Sequence, residues 1–338
     1  MPVAAPVPTR PSGRTRAIVQ RFAALGSLLV LVAAFSLTSA TFFSLSNGLT
    51  IALQVTSIGL LGIGATCVII AGGIDLSVGS VLALSGVVAA LAVRDLGVPV
   101  PVGMLAGILA GALCGLANGL LVTRMRLPPF IATLGMMLVT RGLALQVTGA
   151  RAVSGLGDAF GELGNGALFR IVRDGADGFP VTVFPGIPYP VILLAGIALA
   201  AAFMLGRTVF GRHVYAVGSN AEAARLSGVN VTRVVTLTYV ISGALAGLTG
   251  CVLMSRLVTA QPNEGVMYEL DAIASAVIGG TSLVGGVGSI CGTAIGAFVI
   301  GILRNGLNMN GVSAFVQQIV IGLVILFTVW IDQLRHRR

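Results

Sequence analysis

The stretch AGGIDLSVGS, residues 71–80, sets a carboxylate, Asp75, among three glycines and two serines, between the apolar runs Ala52–Ile70 and Val81–Val93. What that carboxylate does depends on the solvent around the runs. The 338 residues are 56% hydrophobic and only 9% charged, with a mean hydropathy of +1.01. A water-facing surface needs about 25% charged residues, so most of this surface faces something other than water. Apolar runs near the ~20 residues that cross a ~30 Å hydrocarbon layer recur along the chain. The composition predicts an all-α polytopic membrane protein.

All 20 basic residues are arginine. A Walker A loop needs a lysine to reach nucleotide phosphates, so the chain carries none, and any ATP that drives it binds to another polypeptide. The net charge of +9 reads as arginine-rich cytoplasmic loops rather than as a nucleic-acid surface. Cys67, Cys114, Cys251 and Cys291 fall inside apolar spans without metal-like spacing, and His213 and His336 stand alone. Neither a metal site nor a cofactor of the chain's own is expected. The apolar stretch Phe22–Ala40 follows four arginines, yet it exceeds the ~7–15 residues of a signal-peptide core, so it reads as a first span.

Ten spans are expected, at about 22–40, 50–71, 76–93, 102–122, 130–149, 189–206, 234–254, 270–284, 289–308 and 313–331. The eighth is short for a full crossing, which leaves a broken or re-entrant segment open. Residues 1–21 and 332–338 read as cytoplasmic tails around a transmembrane domain, 22–331, with a periplasmic loop at 150–188 and a cytoplasmic loop at 207–233. Thirteen arginines then lie inside and five outside, with Arg141 and Arg304 left within spans. That asymmetry follows the positive-inside rule. Asp158, Glu162, Asp174 and Asp177 all fall in the outer loop.

Gly103, Gly107, Gly111, Gly115 and Gly119 recur every four residues. On a helix they draw a side-chain-free stripe on which another backbone packs closely, and the same spacing returns at Gly243/Gly247 and Gly288/Gly292/Gly296. GGIDLSVGS (72–80) also echoes GGTSLVGGVGS (279–289), as internal repeats of transporters do. With ten spans, both echoes face the cytoplasm, a parallel relation.

Three stretches hold polar groups suited to chemistry. In the first, an inner turn motif of Gly72, Gly73, Asp75, Ser77 and Gly79, the paired glycines end a helix, and Asp75 or Ser77 caps the one that follows; a capped inner turn is favoured over an ion site, because a proton relay wants several intramembrane acids. In the second, GRHVYAVGSNAEAARLSGVNVTR (211–233), Asn220 is an N-cap, Ala221–Ser227 a helix and Gly228 its stop. Glu222 and Arg225 suit the two ends of its dipole. So short a helix does not stand alone in water; either the chain's own spans or a cytoplasmic partner supports it. In the third, AQPNEGVMYELDAIASAVIGGTSLVGG (260–286), Glu264, Glu269 and Asp271 gather at the outer side, suited to a cation or to arginines of a docking protein. Without a surrounding soluble cleft they do not suit glycoside hydrolysis.

These stretches, with FIATLGMMLVTRG (130–142) and RNGLNMNGVSAFVQQIVIGLVI (304–325), resemble the ribose-type permeases of bacterial ATP-binding-cassette importers, in the same order from about residue 45 to 332. Glu264 and Asn310 depart from the family pattern. The resemblance implies a homodimeric permease in the bacterial inner membrane. It implies delivery of a sugar by a periplasmic binding protein, and drive from a two-lobed cytoplasmic ATPase that holds ATP and Mg. It assigns docking on that ATPase to Gly218, Asn220, Glu222, Ala223, Ala224, Arg225, Leu226 and Gly228. An ion-gradient-driven transporter or channel is the rival class.

Overall fold

A computed structural model describes residues 13–174 and 180–336. Its centre is α2 (Leu45–Ile70), begun by Ser44, whose hydroxyl accepts from Asn47 N at 3.2 Å. From Val55 to Ile70 every residue of α2 is buried, as expected of a helix that is apolar on all sides and enclosed by others. Against it pack α7 (Tyr189–Arg207), α10 (Val231–Leu257), α11 (Tyr268–Ile278) and α12 (Ile290–Met309), while α3 (Val78–Leu96) and α4 (Val100–Thr123) pack on α10 and on each other, and α5 (Pro129–Thr148) on α3 and α4. Helix α1 (Gly13–Thr38) packs on α12, and α13 (Ala314–His336) on α11 and α12. Among the described residues, seven helices are long and apolar enough to cross a membrane.

The glycine stripe explains how α4 joins this bundle. Apart from Asn118, the buried residues of α4 are Gly103, Gly107, Gly111, Gly115 and Gly119, while Leu105, Leu109 and Leu113 are exposed, the pattern of a lipid-facing helix. A Cβ added at Gly111 would lie 2.3 Å from Gly243 O, and one at Gly243 would lie 2.2 Å from Gly111 O. The two backbones are in contact, as small-residue stripes permit. Gly111→Leu should prevent assembly of the bundle, at a cost above about 3 kcal/mol. The check is the monodisperse fraction recovered in detergent, which should fall to near zero.

The eighth expected span, 270–284, is shorter than expected. Helix α11 has 11 residues and covers about 16 Å, half a bilayer. The chain between α10 and α11 passes the first turn of α3, where a Cβ on Gly79 would lie 2.2 Å from Gly265 O. The eighth expected span is thus a broken segment, irregular backbone followed by a half-helix.

Two ends of the bundle are distinguished by α10. At its Leu257 end sits α6 (Asp158–Asn165), whose Gly164 N donates to Ser255 Oγ at 2.8 Å. The strands follow α6: β1 (Ala167–Leu168) pairs with β4 (Ile187–Pro188), and β2 (Ile171–Asp174) with β3 (Pro180–Phe184), both antiparallel. Those ribbons depart from the all-helical expectation. Strand pairing there satisfies backbone groups within a polar segment. At the Val231 end sit α8 (Val209–Ser219) and α9 (Ala221–Leu226).

Candidate coupling site and the buried turn

Local sequence dictates the shape of the 207–233 segment. Thr208 begins α8 by accepting from Gly211 N at 3.2 Å, and Asn220 begins α9 by accepting from Ala223 N at 2.9 Å. Gly228, at φ 86°, ends α9, and Asn230 begins α10 by accepting from Arg233 N at 2.9 Å. Three side-chain caps in about two dozen residues make a jointed arm. Only Ala224 of α9 is buried, whereas Glu222, Ala223, Arg225 and Leu226 face outward. Arg225 Nη2 lies 2.5 Å from Glu222 Oε1, and through that hydrogen bond holds the exposed carboxyl below the usual carboxylate range. Helix α8 is absent from the sequence reading, although buried Val214 and Val217, three apart after a Thr cap, carry its signature.

The arm is seated on bare backbone. A Cβ added at Gly218 would lie 1.6 Å from Ile70 O and 2.7 Å from Gly286 N. Gly286 N itself donates to Ile70 O at 2.9 Å, and Tyr215 OH donates to Gly288 O at 2.9 Å. A Cβ at Gly285 would meet Gly218 O at 2.8 Å and Gly72 Cα at 3.2 Å. The end of α8 is therefore wedged between the end of α2 and the loop after α11. The two echoing glycine stretches meet at one end of the bundle, as a parallel relation requires. In each, the residue after the helix C-cap is a glycine of positive φ, Gly72 at 83° and Gly280 at 88°, but these are the first glycine of one pair and the second of the other, with Gly279 at −70°. The likeness slips by the closing serine, because Ser80 lies inside α3 while Ser289 caps α12, accepting from Gly292 N at 3.1 Å.

Asp75 does not sit in a surface turn. It is 2% exposed, and its Oδ2 accepts from Ser242 Oγ at 2.9 Å, near the middle of α10. Its Oδ1 accepts from Ser77 N at 3.0 Å and Ser77 Oγ at 2.6 Å. Neither Asp75 nor Ser77 caps α3 as expected: the Ser77 side chain makes no capping bond, and Asp75 closes an Asx-type turn on Ser77 instead. Asn118 Nδ2 donates to Ser77 Oγ at 2.9 Å, and Tyr239 OH donates to Ile74 O at 3.2 Å. Thr140 donates to Ser80 Oγ at 2.7 Å. A Cβ at Gly73 would meet Tyr239 Oη at 2.6 Å. The motif pins the α2–α3 joint to α4, α5 and α10, with the carboxylate's burial offset by three hydrogen bonds.

Glu264, Glu269 and Asp271 do not form one exposed cluster. Asp271 is 4% exposed and paired with Arg304 at 2.7 Å. Glu269 turns toward Gly79, its Oε2 2.4 Å from where a Cβ would stand. Glu264 offers its backbone: Arg141 Nη1 donates to Glu264 O at 2.8 Å and to Pro262 O at 2.5 Å. The two arginines left inside spans thus both serve the broken segment. Nothing in the spacing of Asp271 and Arg304, 33 residues apart, announces their pairing. Among the described residues, no group of three or more His, Cys, Asp or Glu is placed to hold a metal ion.

A bundle of long apolar helices with one half-helix, glycine-seated backbone and an exposed jointed arm is the architecture of a multi-pass membrane protein. The sequence model of the family described as "Branched-chain amino acid transport system / permease component" matches residues 47–329, and the chain belongs to that family. The chain is 44% identical to the ribose import permease protein RbsC of Bacillus subtilis (strain 168), over 94% of each chain. It is 43% identical to RbsC of Escherichia coli (strain K12), over 95% of this chain and 97% of the relative. The xylose transport system permease protein XylH of Escherichia coli (strain K12) is 35% identical, over 97% and 95%. No solved structure matches the chain.

Proposed function

We propose that this chain is the membrane subunit of an ATP-driven importer for a monosaccharide, with a ribose-like pentose favoured. The observation that carries the reading is near-full-length similarity to permeases named for ribose and xylose import. A lysine-free chain leaves ATP and Mg to a partner. In this reading the chain crosses the bacterial inner membrane ten times with both termini inside, and takes sugar from a periplasmic binding protein at the α6 end.

A cytoplasmic ATPase docks on Glu222, Ala223, Arg225 and Leu226, the outward face of α9. Asn220 and Gly228 set the joints at its two ends, Ala224 anchors it, and Gly218 seats α8. Closure of the ATPase lobes displaces α9. Because α8 abuts Ile70 O and Gly286 N, that displacement reaches α2 and the half-helix α11 together. Buried Asp75 holds the α2–α3 joint rigid so that the bundle rocks rather than bends. Irregular backbone at membrane depth cannot face lipid, and Val266, Met267 and Leu270 beside the broken segment are exposed. That supports a second copy of the chain across a shared, water-lined path.

The docking role is tested with the double substitution Glu222→Lys, Arg225→Glu, which keeps an i,i+3 pair but reverses its field. ATPase capture by the purified permease should fall about tenfold, with the permease's melting temperature little changed. Unchanged capture with unchanged uptake would remove α9 from the interface. The ion-gradient rival requires sugar accumulation without any ATPase.

A further inference from the structure

Helix α4 carries a second pattern on the face away from its glycines. Leu105, Leu109, Leu113, Leu116 and Leu120 are all exposed, and their spacing of three or four residues puts them on one side of the helix. Arg124 comes next at the same spacing. It is the C-cap of α4, still in right-handed helical backbone, and its N–H donates to Leu120 O at 2.9 Å. The apolar stripe therefore ends on a guanidinium. From Leu113 to Arg124 the rise is about 16 Å, the depth of one leaflet of a ~30 Å hydrocarbon layer.

Two more arginines join it at that end. Arg126 is exposed and takes φ 59°, a left-handed conformation uncommon for a residue with a side chain, in a turn closed by the fixed φ of Pro128 and Pro129. Helix α10 runs antiparallel to α4, with Gly115 against Tyr239 and Gly119 against Thr236. The Thr123 and Thr236 hydroxyls lie 3.2 Å apart, and exposed Arg233 stands one turn nearer the same end. Among the described residues the salt bridges are Arg94–Asp95, Arg225–Glu222 and Arg304–Asp271. Arg124, Arg126 and Arg233 belong to none of them. Like charges left uncompensated at one spot repel one another and attract an anion.

The leucines decide which anion. Arginines at the end of a lipid-facing stripe stand where headgroup phosphates stand, whereas a soluble anion or an acidic protein has no access to the stripe. A phospholipid with an anionic headgroup meets both parts. Its phosphate accepts paired N–H bonds from guanidinium groups, and the arginine stems lie along apolar surface with their charge at the interface.

We propose that the ends of α4 and α10 form a binding site for one anionic phospholipid, with Arg124, Arg126 and Arg233 on its headgroup and Leu113, Leu116 and Leu120 along an acyl chain. Arg233 follows the Asn230 joint by which α9 enters α10, so the bound lipid ties the base of the arm to α4. The site goes beyond the importer reading and does not depend on which solute is carried.

Native mass spectrometry tests it on the full-length permease, released from micelles holding equal phosphatidylglycerol and phosphatidylcholine. Wild type should retain phosphatidylglycerol in at least tenfold excess, since each guanidinium near a membrane surface contributes about fivefold. Arg124→Gln with Arg233→Gln should lower that excess about tenfold or more. Arg212→Gln, at an exposed arginine of α8 off the leucine stripe, should leave it within about twofold. Equal retention of the two lipids by wild type overturns the inference. So does an equal loss in Arg212→Gln, which reduces the cluster to general attraction for an anionic surface. ATPase capture lost by the double variant, with its phosphatidylglycerol excess intact, assigns the arginines to the ATPase and overturns it too. Should the double variant not insert, Arg126→Gln alone should lower the excess about fivefold, and an unchanged excess overturns the site.

Discussion

Gly218→Val should abolish ATP-driven uptake. The first atom of any side chain at Gly218 would lie 1.6 Å from Ile70 O and 2.7 Å from Gly286 N. Both are backbone atoms joined to each other by a 2.9 Å hydrogen bond, so neither yields as a flexible side chain would. Relief requires the Gly286 N–Ile70 O bond to part, which orphans the carbonyl, and α8 to lift off α2, which unseats the arm. Overpacking together with an orphaned carbonyl is worth more than about 3 kcal/mol, a loss exceeding a hundredfold in any equilibrium that needs the seated state. Gly142→Ala supplies the contrast. A Cβ there meets nothing within 4 Å, and alanine favours the helix by up to about 1 kcal/mol, so uptake and melting temperature should hold or rise. Uptake by Gly218→Val at the wild-type rate would mean that the seat transmits nothing.

The second large effect belongs to the Asp271–Arg304 pair. Arg304→Ala leaves the Asp271 carboxylate, 4% exposed, without its 2.7 Å partner. Because the Arg304 side chain is 34% exposed, removing it costs on the order of 1–3 kcal/mol, below the ~3–5 kcal/mol of a fully buried pair, and the variant's yield in detergent should fall. Replacing both, as Asp271→Leu with Arg304→Met, removes the stranded charge and should return stability to within about 1–2 kcal/mol of wild type. Stability measured by thermal melting should be non-additive across this cycle; additive losses would show that the two groups do not interact.

Hydropathy made most of the helices legible, and their bounds fall within a few residues of those observed, because a bilayer-spanning run is a long and redundant pattern. The glycine stripe of α4 was equally plain: five glycines at one spacing read as a packing face, and α3 fills it at Gly103 and Gly107, α10 at Gly111, Gly115 and Gly119. Capping chemistry placed α9 between Asn220 and Gly228. Contacts between distant segments were not legible. Asp75 lies between two apolar runs, which reads as a turn at the surface; its depth depends on α10 passing behind it with Ser242, a residue 167 positions away. Asp271 looked like one of three acids at a mouth, and only the fold turns it toward Arg304. Gly218 stood out by family resemblance, while its physical reason, backbone approach by two other segments, has no trace in its neighbours. The short α8 escaped notice because its apolar positions blend into the preceding span.

Everything in the mechanism depends on an engine outside the chain whose stroke arrives through α9 and the Gly218 seat. The most direct measurement is ATP-dependent accumulation of labelled D-ribose in proteoliposomes, with the permease reconstituted alone and then with its ATPase and binding protein. The full complex should concentrate the sugar with ATP, and the permease alone should neither hydrolyse ATP nor concentrate it. Uphill accumulation by the isolated chain, under an ion gradient or with nucleotide, would contradict the account.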